Sequence, residues 1–188
     1  MYAFKYKCGL YVGRFQPLHI GHTSIIDRML DECEYVVIAI GSAQESGTEK
    51  NPLSFPLRKH IISQTYFRRL HRMTIVPIND RENYSDDSSW GDYLFDQIRK
   101  YPTLSPSIIY EGEENVRTHW YDNYNIPVVK IPRTEIAISG TELRHMILND
   151  YKVSASTYLP SNVYHDYYDK IRKEIQNAAV NSKCNPVD

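Results

Sequence analysis

Five short apolar runs, at residues 10–13, 35–41, 73–78, 107–111 and 127–131, alternate with longer stretches whose apolar residues recur every three or four positions. The runs have strand length, and the stretches at 20–32, 56–70, 89–101, 114–124 and 140–149 have helical period. A chain that repeats strand and helix in this order buries both by forming a mostly parallel sheet with right-handed crossovers and helices on both faces. The predicted fold is therefore α/β, a doubly wound five-stranded sheet. The tail from residue 151 on, including 164–178, reads as one further helix packed on the edge. With 188 residues the chain has the size of a single domain, assigned to 1–180, with 181–188 expected to fray. Ligands of such sheets gather beyond the carboxyl ends of the strands, where two long polar loops, 42–55 and 79–88, are expected to lie.

Charge narrows the choice of partner. Lys plus Arg number 22 against 23 Asp plus Glu, so no net field attracts nucleic acid or an anionic membrane, and an anion site has to be built locally. No stretch approaches the roughly 18 apolar residues of a membrane helix, and the polar start at 1–7 lacks the apolar centre of a signal peptide. Cys8, Cys33 and Cys184 show no CxxC pairing and read as reduced thiols of a cytoplasmic protein. The sixteen tyrosines follow no repeat and carry no functional assignment.

The run GRFQPLHIGH, residues 13–22, leaves a strand and opens a helix, where exposed N–H groups and the helix dipole receive an anion. Gly13 eases the turn, Pro17 stiffens the loop, and Gly21 removes a side chain where backbone or ligand comes close. Arg14 offers a planar fork suited to phosphate oxygens. His19 and His22 are placed to donate hydrogen bonds that strengthen as charge builds during substitution at an α-phosphorus. The alternatives are surface or core histidines, or a metal-binding pair.

A second run, ISGTELR at 138–144, sets Ser139, Gly140 and Thr141 before the last core helix. Ser139 and Thr141 suit a helix cap as well as a phosphate oxygen, with Glu142 favourable in the first turn; capping does not account for Arg144.

GRFQPLHIGH resembles the HxGH motif of the nucleotidyltransferase superfamily, in the GRFQP form of archaeal-type nicotinamide mononucleotide (NMN) adenylyltransferases, and ISGTELR is similar to the ISxTxxR motif of the same superfamily. The resemblance covers about residues 7–160 and implies a Rossmann-like sheet and direct attack of one substrate's phosphate on the α-phosphate of ATP, with no covalent enzyme intermediate. It implies catalytic roles for His19, His22 and Arg144, and ATP contacts from Gly13, Arg14, Phe15, Gly21, Ser139, Gly140, Thr141 and Arg144. Magnesium is expected to arrive with ATP, with no protein metal cage readable. The letters HIGH also belong to class I aminoacyl-tRNA synthetases, but this chain has no KMSKS-like segment and too little length for reading tRNA.

The acceptor is read from the loops. GSAQ at 41–44, followed by Lys50, Asn51, Pro52 and then Arg58, looks like the GSAQ and NPF segments of the archaeal-type enzymes, with Leu53 in place of the usual aromatic residue. Tyr84, Ser85, Asp86 and Trp90 resemble a YSDxxW segment of transferases fused to a Nudix hydrolase, one residue longer here. An indole stacks well on a cationic pyridinium, and Asp80 or Asp86 offsets its charge, although a tryptophan packed in the core is an equal reading. Gly41, Ser42, Lys50, Asn51, Asp80, Tyr84, Asp86 and Trp90 are thus the expected NMN contacts. The segment 111–116 departs from the family's SGNPLV; its acidic residues suit a nucleotide amino group, magnesium or a solvated helix start. The expected enzyme makes NAD and pyrophosphate from NMN and ATP, binds small molecules alone, lacks Nudix activity and forms a homo-oligomer. The rivals are a related transferase acting on nicotinic acid mononucleotide, phosphopantetheine or flavin mononucleotide, or using a cytidylyl donor, and a non-catalytic nucleotide-sensing module.

Overall fold

A computed structural model describes residues 3–81, 87–112, 120–132 and 138–184. The strands are β1 (Tyr6–Gly13), β2 (Cys33–Ile40), β3 (Met73–Pro77), β4 (Ile108–Gly112) and β5 (Val128–Ile131), all parallel in the order β3-β2-β1-β4-β5. The helices are α1 (Ile20–Glu32), α2 (Phe55–Thr65), α3 (Asp87–Arg99), α4 (Gly140–Leu148), α5 (Lys152–Tyr158) and α6 (Ser161–Cys184).

Strand alternation divides the interior in two. In β2, Val36, Ile38 and Ile40 face a core shared with Ile26 and Met29 of α1, Ile61 and Ile62 of α2, and Ile171 of α6. Val37 and Ala39 face the opposite core, with Leu94, Phe95 and Ile98 of α3 and with Trp120. Burial on both faces is what makes these strands continuous apolar runs. The chain winds outward from β1 to β3, then returns to the other side of β1 for β4 and β5. The crevice between the carboxyl ends of β1 and β4 is thus the topological switch point.

The strand and helix order follows the sequence reading, with four differences. β1 begins at Tyr6 rather than residue 10, because Tyr6 and Cys8 already pair with Cys33 and Tyr35 while exposed Lys7 reaches Glu34 at 2.9 Å. The helix expected over 56–70 stops at Thr65. Buried Tyr66 closes it, donating to the Thr23 carbonyl at 3.4 Å, and the chain continues as a 3₁₀ turn, Phe67–Arg72. Arg72 then donates to the carbonyls of Leu30, Cys33 and Glu34, capping α1 where the chain passes straight into β2 without a terminal glycine. The single tail helix is in fact two, α5 and α6, broken at extended Leu159 before Pro160, which has no N–H to donate. α6 runs to Cys184, into the stretch expected to fray. Most of the helix expected over 114–124 lies outside the described residues; its described end is a 3₁₀ turn at Asp122–Tyr124.

Cys8 and Cys33 are free and buried, and burial, with Cys33 adding, pushes the Cys8 thiol up to about 12. Among the described residues, no helix is long and apolar enough to cross a membrane.

Gly91 in α3 is set by packing. A Cβ there would lie 2.6 Å from the Trp120 carbonyl oxygen and 2.7 Å from the Tyr124 ring. Alanine gains up to about 1 kcal/mol in helix propensity, but overpacking against main chain costs about 1–3 kcal/mol. Gly91→Ala is therefore expected to lower the urea midpoint; a raised midpoint would show that the contact relaxes freely.

Candidate active site

The two motifs line one cavity of about 390 Å³ at the carboxyl ends of β1, β4 and β5, bounded there by Gly13, Gly112 and Ile131. Beyond Gly13 the chain turns sharply: Phe15 has φ 53°, the left-handed region that costs a non-glycine residue roughly 1–3 kcal/mol. Its ring is buried, edge-on to Tyr11 at 5.5 Å and 4.7 Å from the His22 ring, so packing offsets the strain. His19 is the N-cap residue of α1 and His22 its third helical residue. Their rings stack at 3.7 Å, and the His19 main-chain N–H donates to His22 Nδ1 at 3.3 Å. Because Nδ1 accepts, the neutral His22 ring carries its proton on Nε2. A Cβ on Gly21 would lie 3.1 Å from two atoms of the His19 imidazole, so what that glycine admits is the motif's own histidine.

On the opposite wall Ser139 caps α4. Its hydroxyl accepts from the Glu142 N–H at 3.1 Å and donates to Glu142 Oε2 at 2.7 Å, and the Ser139 N–H donates to the same carboxylate at 2.8 Å. The capping reading of Ser139 is thus realised in full, as a reciprocal box. Arg144, one turn on, donates from Nη1 to the Gln16 carbonyl at 2.9 Å and from Nη2 to Thr141 Oγ1 at 3.1 Å. Gly140 makes room for this, since a Cβ there would lie 3.3 Å from Nη1. Burial, with Arg14 adding repulsion, holds the Arg144 pKa below the usual arginine value, yet the group stays charged at any physiological pH.

All ten residues expected to meet ATP or act on it line this cavity: Gly13, Arg14, Phe15, His19, Gly21, His22, Ser139, Gly140, Thr141 and Arg144. No Asp or Glu stands among the described lining residues. The wall therefore presents guanidinium, imidazole and hydroxyl groups, a donor set for an anion. The rest of the lining includes the motif residues Gln16 and Ile138, polar Ser24, and the apolar side chains of Val12, Ile25 and Ile131, which carry no sequence signal beyond ordinary core positions.

None of the described acceptor residues is among those that line this cavity. Gly41 and Ser42 follow β2 next to the first motif: the Gly41 N–H donates to the Gly13 carbonyl at 3.0 Å, and buried Ser42 has φ 48°. Lys50 is exposed, while Asn51 is buried, with its amide donating to Glu45 and its main-chain N–H to Thr48 Oγ1. Asp80 is tied to Gln44 by a main-chain donation at 2.9 Å and a side-chain bond at 3.4 Å. Trp90 packs edge-on against Trp120 at 5.2 Å on the second core. Tyr84 and Asp86 lie outside the described residues, as do 113–116. Glu111 is buried at the end of β4, accepting from Tyr121 at 2.8 Å and facing Lys130 at 3.5 Å.

Two residues that the sequence reading gave no role join these parts. Gln16 pairs both ends of its amide with the Leu53 main chain, each at 2.9 Å. Arg58 of α2 donates to the carbonyls of Arg14, Gly41 and Ser42 at 2.8, 2.8 and 2.9 Å. Their signal was in the motifs themselves: Gln16 belongs to the GRFQP form and Arg58 closes the segment that follows GSAQ, but neither position says which carbonyls the side chain reaches.

A switch-point cavity that joins an HxGH loop to an ISxTxxR helix defines a nucleotidyltransferase. Residues 10–156 match the cytidylyltransferase-like family. The nicotinamide-nucleotide adenylyltransferase of Thermoplasma acidophilum is 32% identical over 153 residues, 79% of this chain and 79% of its own. That of Pyrococcus furiosus is 28% identical over 147 residues, 76% of this chain and 73% of its own. The fold is shared with a bifunctional NMN adenylyltransferase/ADP ribose pyrophosphatase from Francisella tularensis, solved with AMP and a manganese ion. There the TM-score is 0.70 at 22% identity, covering 97% of this chain and 57% of the larger one. The chain belongs to the cytidylyltransferase-like family and, within it, to the archaeal-type nicotinamide-nucleotide adenylyltransferases.

Arg144→Lys keeps the charge but cannot span Gln16 and Thr141 as a fork. The lysine variant is expected to bind ATP roughly tenfold more weakly, as the loss of one hydrogen bond to a charged group implies, in a calorimetric titration. Unchanged affinity would show that the fork plays no part in nucleotide binding.

Proposed function

We propose that ATP lies in the switch-point cavity with its phosphates between the two motifs, and that the phosphate of NMN attacks the α-phosphorus in line. An oxygen of the NMN phosphate forms the new bond to phosphorus; the bond from the α-phosphorus to the α,β-bridging oxygen breaks, its electron pair leaves with pyrophosphate, and NAD remains. The observation that carries this reading is the meeting of all ten motif residues around one cavity with no carboxylate among its described lining residues.

His22 Nε2–H and the His19 ring are placed to stabilise the equatorial oxygens, and Arg14 and Arg144 to hold the phosphates. The helix start at His19 adds the positive end of its dipole. Ser139, committed to its cap, acts by fixing the start of α4 and with it Arg144. Among the described residues no group of three His, Cys, Asp or Glu could hold a metal ion, and the anion-seeking cavity fits a cation carried in on phosphate oxygens. A divalent ion, assigned as magnesium, offsets phosphate charge when bound. Lys50, Asn51, Gly41, Ser42, Asp80 and Trp90 are the acceptor contacts of this reading; Tyr84 and Asp86, outside the described residues, are assigned to NMN by the resemblance alone. The balanced charge and unpaired thiols support a cytoplasmic enzyme of small molecules, and exposed Phe67, Tyr151 and Val153 offer apolar surface for a homo-oligomer.

Pyrophosphate release with ATP and magnesium, compared across NMN, nicotinic acid mononucleotide, phosphopantetheine and flavin mononucleotide, tests the assignment. Fast release with NMN and NAD in the product is expected. Activity confined to another acceptor would keep the ATP site and discard the acceptor reading, and silence with all four would favour a sensing module. His19→Ala is expected to lose on the order of a hundredfold in turnover, the usual cost of removing one transition-state donor; a full rate would remove His19 from the mechanism.

A further inference from the structure

Arg58 poses a physical problem. It is 1% exposed, and among the described residues no carboxylate forms an ion pair with it. A buried guanidinium carries a large desolvation cost, and a well-packed apolar side chain often serves stability as well or better. The helix around it is apolar, with Leu57, Ile61 and Ile62 in the core. What an apolar residue cannot do is hold three carbonyl oxygens at once. Arg58 takes one from the phosphate loop, at Arg14, and two from the start of the acceptor loop, at Gly41 and Ser42. The Ser42 carbonyl belongs to a residue with φ 48°, a conformation that persists where its surroundings fix it.

The far end of the acceptor loop is held in the same way. Gln16 is 3% exposed and gives its whole amide to the Leu53 N–H and carbonyl, two residues past Asn51 and three past Lys50. Its main-chain carbonyl accepts from Arg144. Both ends of the 41–53 segment are therefore fastened to the 13–19 loop by buried side chains.

We infer that Gln16 and Arg58 are positioning residues that set the acceptor loop in register with the ATP phosphate loop, so that a nucleotide bound at one fixes the geometry of the other. The inference rests on the proposed reaction for its catalytic consequence. In-line displacement needs the reacting atoms about 3–3.5 Å apart, and a shift of about 1 Å costs on the order of a hundredfold. The polar contacts of both side chains run to main chain: Gln16 bonds Leu53 from both ends of its amide, both Arg58 terminal nitrogens donate to carbonyls, and Arg58 Nε is buried without a partner.

The test uses the full chain with Gln16→Met, which conserves volume, and separately Arg58→Lys, which keeps the charge but cannot bridge three carbonyls. For each, the affinity and stoichiometry of α,β-methylene ATP are measured by calorimetry, turnover is expressed per nucleotide-binding site, and hydrogen exchange of 41–53 is followed with and without the analogue. The expected result is analogue affinity within about threefold of the parent, turnover per site down on the order of a hundredfold, and loss of the protection that the analogue confers on 41–53. Turnover per site equal to the parent's, or a fall matched by lost binding sites, would reduce both residues to a structural role and overturn the inference. Should the parent protein make no NAD from NMN, the reaction assignment fails alone; the exchange arm still decides, and equal protection of 41–53 in parent and variants overturns the coupling.

Discussion

The reversal of strand order at β1 governs everything else in this molecule. Parallel strands leave their carboxyl ends in one layer, and where the winding changes direction the loops after β1 and β4 part instead of crossing over one another. The 13–19 loop leaves on one side of that opening, and the chain returning from β5 reaches the other side with α4. Two motifs about 120 residues apart in the chain thus become facing walls, without either having to move far from a strand end.

Charge is arranged around that opening as a deficit of anions. Arg14 lines the cavity, and its charge adds to burial, the larger cause in both cases, in lowering the pKa of Arg144 and of Arg58. Like charges gathered with few counter-charges store repulsion, and a polyphosphate relieves it on binding. Asp80 and Glu49 soften the imbalance through space without standing in the lining. Preorganised donors of this kind contribute most where the substrate brings the missing charge with it.

The sequence carried the architecture and the two motifs that meet at one cavity well, for a physical reason. Strand runs buried on both faces are continuous in residue type, and the HxGH and ISxTxxR residues sit at strand-to-helix junctions that local pattern reveals. The acceptor half was harder to read. The Asn51 amide donates to Glu45 and its main-chain N–H to Thr48, and Trp90 leans on Trp120, a partner 30 residues away, contacts that the acceptor-loop pattern does not announce. The joining roles of Gln16 and Arg58 depend on contacts 16 to 44 residues apart that no local spacing encodes. The break before Pro160, by contrast, was written in the sequence as a residue that cannot donate, and the reading of one tail helix passed over it.

That break has an effect at a distance. By stopping α5 it frees α6 to turn back across the helix that carries Arg58. Asn162 donates to Thr65 Oγ1 at 2.9 Å, the Tyr167 hydroxyl meets His60 at 3.0 Å, and Ile171 enters the same core as Ile61 and Ile62. The C-terminal helix is thus the backing plate of α2, and the stiffness of this long segment is transmitted through one helix to the carbonyls of Arg14, a residue lining the cavity, and of Gly41 and Ser42. A tail remote from the chemistry belongs mechanically to the active site.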